Sequence, residues 1–88
     1  MARIDILDQQ VASMGGKAEA DIFCEMGLMY AAGRDCPLDF VAAHKWLNIA
    51  AIKGSARAAE LRADLAESMS KADLAEALRA AREWMTLH

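Results

Sequence analysis

The side chains best equipped for chemistry are two cysteines and two histidines, Cys24, Cys36, His44 and His88. A protein metal site draws several such ligands from short, regular spacings, and a structural zinc site draws four. The two histidines here lie half a chain apart, one inside a helix and one at the last residue, so no pair falls at a ligand spacing. His44 with Cys24 or Cys36 can be imagined as a nucleophile pair in which imidazole takes the thiol proton. That chemistry also needs a third group to orient the base and donors for an oxyanion, and neither is apparent.

The bland assignments therefore hold the field. His44 reads as a solvated residue on the polar strip of a helix, Cys24 as a small apolar core residue and Cys36 as part of a loop. With no C-x-x-C pair and too few cysteines for a bridged framework, a reducing compartment is expected. Gly15-Gly16 is not followed by the Lys-Ser/Thr of a phosphate loop, and it reads as a helix stop. The carboxylates are spread along helix faces as solvated charge. No catalytic residue, metal or cofactor is expected.

At 88 residues the chain is expected to be one domain, residues 1–88, near the size at which folding buries only about 60–65% of the unfolded surface. The hydrophobic fraction is 56%, above the ~45–50% usual for soluble domains, and much of it is alanine in helical spacing. Close helix-on-helix packing is the natural use of so much alanine. A net charge of −3 without a Lys/Arg cluster argues against nucleic acid, because phosphate binding needs concentrated positive charge. No run reaches the ~18 apolar residues of a membrane span, and M-A-R-I-D-I-L-D-Q-Q lacks the apolar stretch of a signal peptide. No membrane partner and a cytoplasmic location are expected.

Five helices account for the pattern. The first covers residues 3–13, with Ile4, Leu7, Val11 and Met14 on one stripe. The second spans residues 18–32 and the third 39–53, with Asp39 as N-cap and Gly54 just beyond the end. Pro37 forces Cys36 between them out of helical geometry. Ser55 caps a fourth helix to Met69, with Ala58, Leu61, Leu65 and Met69 on one face. Ser70-Lys71-Ala72-Asp73 opens the last, to Thr86, with Leu74, Leu78, Ala81 and Met85 on one side and the Glu76–Arg79–Glu83 charges on the other. The third helix is apolar almost all round, leaving only His44, Lys45 and Asn48 as a polar strip, so it belongs inside the stack. Gly27, Ala43, Ala50 and Ala51 would let backbones approach, while Tyr30, Phe40 and Trp46 fill the spaces between layers.

A repeat is visible within the chain. Gly16-Lys17-Ala18-Glu19-Ala20 and Gly54-Ser55-Ala56-Arg57-Ala58 share the pattern G-x-A-x-A. From Met26-Gly27 through Met29-Tyr30 and Gly33, then Asp39, Ala43, Trp46, Ala50-Ala51 and Gly54, the chain resembles the SEL-one-like repeats, a tetratricopeptide-related α/α class. These residues stand where the family has its Leu-Gly, its Met-Tyr, the closing Gly of the first helix, then the opening Asp, central Ala, aromatic, Ala pair and terminal Gly of the second. The family's loop Gly-x-Gly-Val reads Gly33-Arg34-Asp35-Cys36 here, and the usual Lys before the central Ala is Ala42. The resemblance implies an all-α fold: a short α/α solenoid of about five helices. It divides into an N-terminal helix at residues 1–16, one full helical hairpin repeat at 18–54, and a degraded repeat with a helical C-terminal cap at 55–88.

Function follows from that class. Repeat proteins of this kind bind other proteins through their stacked surface, commonly through the first helix of each unit. On that helix Asp21, Glu25, Leu28, Met29 and Ala32 form an acidic-then-apolar strip suited to an amphipathic peptide or helix with a basic end. The expected role is non-enzymatic: an adaptor or regulatory module whose partner is another protein. The alternative is an obligate self-associating scaffold, a homodimer in which too few repeats complete their core across a two-fold axis. A small hydrolase is a remote third, since some cysteine-rich relatives of the resembled class have been linked to such activity. Their paired cysteines are absent here.

Overall fold

The computed structural model describes residues 18–88, and within them every regular element is an α-helix. Helix α1 occupies residues 18–32, α2 Phe40–Ile52, α3 Ala56–Ala66 and α4 Lys71–Leu87. These answer to the second through fifth helices expected from the sequence. The expected helix at residues 3–13 and its Gly15-Gly16 stop lie outside the described residues.

Local chemistry sets the helix starts. Asp39 is extended, at φ −153°, and its Oδ1 accepts the Ala42 N–H at 3.0 Å. Ser55 Oγ accepts from Ala58 N–H and Ser70 Oγ from Asp73 N–H, each also at 3.0 Å. Each cap satisfies a donor that the first turn cannot, worth about 1 kcal/mol. Helix ends follow the backbone as well. The expected fourth helix ran to Met69, but α3 stops at Ala66, and Glu67, Ser68 and Met69 then donate to carbonyls three residues back. Those tighter bonds exhaust the helix without any left-handed residue.

The loop from α1 to α2 is built differently. Gly33 and Asp35 both take left-handed φ, +67° and +62°. Arg34 N–H bonds to Met29 O at 2.9 Å, and Asp39 N–H returns to Tyr30 O at 3.0 Å. Cys36 Sγ approaches the same Met29 carbonyl at 3.6 Å. Residue 35 is where the resembled family places its second glycine, and aspartate is among the few other residues that tolerate this conformation.

Helix α2 is the centre of the packing. It lies against α1 through Gly27, and against both α3 and α4. Cys24, Leu47, Ala50 and Ala58 form the buried cluster, joined by Phe23, Leu28, Ala51, Leu61 and Leu65. Ala20, Ala43, Ala77 and Ala81 are also buried, and the only large side chains fully so among the described residues are Leu47 and Ile49. Alanine thus sets short distances between axes, as the composition led one to expect.

Two expectations about burial are corrected. His44 is 3% exposed, not a solvated residue on a polar strip, because α3 packs over that side of α2 and places Arg62 beside Asn48, one turn along from His44. Leu78, assigned to the inner face of α4, is 41% exposed. The buried line of α4 runs through Ala77 and Ala81, the small residues that permit close approach to α2, with Leu74, Trp84 and Met85 half-buried.

Candidate functional site

On α1 exposure recurs with helical period at Ala18, Asp21, Ile22, Glu25 and Ala32, with Met29 half-buried on the same line. The expected strip of Asp21, Glu25, Leu28, Met29 and Ala32 is divided by this geometry. Asp21, Glu25 and Ala32 lie on the open face, but Leu28 packs against the Cys24–Leu47–Ala50–Ala58 cluster. The residue that the strip lacked is Ile22, 60% exposed. Its signal was available: residue 22 stands three before Glu25 and seven before Met29, on one helical face.

Ion pairs shape the charge of this face. Glu25 Oε2 lies 3.7 Å from Arg34 of the loop, and its Oε1 lies 3.6 Å from Arg57 at the start of α3. Glu19 meets Lys53 at 2.9 Å, tying the beginning of the described α1 to the end of α2. Exposed pairs of this kind add little to stability. Their effect is local: Glu25 is flanked by two arginines, whereas no described cation pairs with Asp21. The face offers an apolar centre, Ile22 and Met29, with carboxylate and guanidinium groups around it.

Residues matching the resembled repeat are distributed as packing requires. Gly27, Ala43 and Ala50 are buried, and Met26, Tyr30, Trp46 and Ala51 half-buried; Gly33, Asp39 and Gly54 sit at helix boundaries. Trp46 belongs to an aromatic group. Its ring stacks on Phe23 with centroids 5.6 Å apart and meets Trp84 edge-on at 5.5 Å, and Phe23 meets Trp84 edge-on at 5.2 Å. The His88 ring stacks on Trp84 at 4.3 Å, and Lys45 Nζ stands 4.4 Å over Trp46. This group knits α1, α2 and α4 together. Trp84 was not singled out in the sequence, although it follows Ala77 and Ala81 at the spacing of their buried line.

Cys24 and Cys36 are free thiols, Cys36 lies against a backbone carbonyl, and the buried His44 ring has no partner at Nδ1 among the described residues. Burial, and then the positive charge of Arg62, hold the His44 pKa below its ordinary 6.5. Among the described residues no three His, Cys, Asp or Glu side chains gather as metal ligands, and no helix is long and apolar enough to cross a membrane. Compared with known proteins, the chain matches no protein-family model, no curated protein and no solved structure.

Proposed function

We propose that this chain is a non-enzymatic protein-interaction module of SEL-one-like character, acting in the cytoplasm as an adaptor or regulatory protein that receives a peptide or helix along the outer face of α1. The observation that carries this is the open apolar centre of that face: Ile22 is 60% exposed on a helix otherwise rooted in the core. Methionine at residue 29 adds a side chain that adapts to varied partners. The repeat assignment draws support from the loop, where Gly33 and Asp35 are left-handed at both glycine positions of the resembled repeat. It draws further support from the close approach of Gly27 to α2. The partner has a basic end facing Asp21, and neither nucleic acid nor membrane is its target.

Self-association as a homodimeric scaffold is the second reading, favoured by the further exposed apolar side chains Leu38, Ile52 and Leu87. Light scattering over a concentration series separates the two, run on the parent and on Ile22→Glu. A monomer that captures a partner in cells, with capture lost in Ile22→Glu, supports the adaptor. A stable dimer that Ile22→Glu dissociates supports the scaffold, and capture indifferent to Ile22→Glu removes the α1 face from the proposal.

A further inference from the structure

His44 and Arg62 together form an unusual feature of the interior. The imidazole is 3% exposed, and its Nδ1 has no hydrogen-bond partner among the described residues. One helical turn further along α2, Asn48 Oδ1 accepts a 2.6 Å hydrogen bond from the Arg62 guanidinium of α3. That bond is a direct polar tie between the two helices, and it anchors a permanent cation in the region of the imidazole. Beside burial itself, Arg62 is the charged group that disfavours a proton on the ring. Arg62 itself has no described carboxylate partner.

We propose that His44 is an acid-sensitive latch between α2 and α3: a proton on its buried ring creates a second cation near Arg62, and α3 detaches from α2 to hydrate both. The neutral ring suits the closed packing, since an uncharged imidazole costs far less to bury than an unpaired imidazolium. The sign follows from linkage. Burial and Arg62 lower the folded-state pKa, so the opened form binds the proton more readily than the closed one. Both forms are neutral well above the ordinary 6.5 of the ring, and pH has no effect there. As pH falls through 6.5 the opened form takes up a proton first, and opening becomes easier until the closed form is also protonated. Each pKa unit separating the two forms multiplies the opening constant by about tenfold. The moving element is suited to this, because α3 is the shortest of the four helices and is capped at one end by the Ser55 side chain and loosened at the other into three-residue turns.

The test combines ring titration by NMR with amide hydrogen exchange of α3 between about pH 7.5 and pH 5, corrected for the intrinsic pH dependence of exchange. In the parent the His44 ring should titrate below its ordinary value, while α3 amides lose protection several-fold to tenfold or more, and α2 amides facing α1 keep theirs. His44→Gln should abolish the loss. Should His44→Gln fail to fold, Arg62→Gln decides: it keeps a donor for Asn48 but removes the charge, and should bring the ring closer to its ordinary pKa and shrink the loss. A ring that titrates at or above its ordinary value overturns the proposal. So does α3 protection that is independent of pH, or that falls equally in parent and variants.

Discussion

Leu47 fills the space in which a side chain on Gly27 would stand: a Cβ at residue 27 would lie 2.7 Å from Leu47 Cγ and 3.0 Å from the Ala43 carbonyl oxygen. Leu47 is fully buried at the crossing of α1 and α2 and cannot swing into solvent. The carbonyl belongs to α2 itself, so relief requires the helices to separate. Gly27→Ala should therefore destabilise. Overpacking costs about 1–3 kcal/mol, against a gain of up to about 1 kcal/mol from alanine's helix propensity. A denaturant midpoint below the parent's is expected, and Leu47→Ala should recover part of the loss in the double variant because the two residues are coupled. A Gly27→Ala chain as stable as the parent would mean that the helices are not this close.

The loop carries a residue that its conformation does not favour. Asp35 holds φ +62°, a region costly for residues with a Cβ although aspartate tolerates it better than most. Asp35→Gly should raise stability by up to about 1 kcal/mol, the gain from relieved strain being partly offset by the freer unfolded chain. Gly33→Ala should do the reverse, since φ is +67° and the added Cβ would also press on Leu38 at 3.3 Å. Thermal or denaturant melts of the two variants moving in opposite directions is the result that matches the loop.

These cases show what the sequence can and cannot convey. Asp39, Ser55 and Ser70 announced their helices because a cap acts on a backbone donor three residues away, a relation contained in the local chain. Gly27 announced the close crossing because small residues have few other uses in a helix interior. The surroundings of His44 could not be read in the same way: its polarity suggested solvent, but the helices packed on α2, α3 among them at Asn48, arrive from later parts of the chain. Leu78 and Ala77 are neighbours on one helix, and which of them faces α2 depends on a rotation set by the whole packed unit. The candidate face was legible in position more than in content, with Asp21, Glu25, Met29 and Ala32 placed on it, Leu28 turned inward and Ile22 added.

The aromatic group allows a test of how α4 is held. Phe23, Trp46 and Trp84 each touch the other two, and all three are half-buried. Full burial of a tryptophan makes truncation cost about 3–5 kcal/mol, so half-burial places Trp46→Ala and Trp84→Ala nearer about 2 kcal/mol each. Their effects should not add. An aromatic contact contributes roughly 0.5–1.5 kcal/mol beyond area, and the double variant should fall short of the sum by about that amount. Strict additivity would mean that the two rings do not meet in solution.

The divided strip on α1 gives the sharpest contrast between surface and core. Ile22 projects from the open face, whereas Leu28 joins the cluster around Leu47 and Ala50. A glutamate at residue 22 adds charge where water already reaches, so Ile22→Glu should keep the parent's helical circular dichroism and melt within about 0.5 kcal/mol of it, as surface substitutions do. A glutamate at residue 28 must either stay ionised in an apolar setting or drag its neighbours open, so Leu28→Glu should destabilise by several kcal/mol, about 2 or more. Met29→Glu should fall between them, since its side chain is half-buried on the same line as the exposed residues of α1. Binding then separates role from fold: Ile22→Glu loses partner or self-association while remaining folded. If Leu28→Glu proves the milder substitution and Ile22→Glu unfolds the chain, the face of α1 has been turned the wrong way, and the proposed site falls with it.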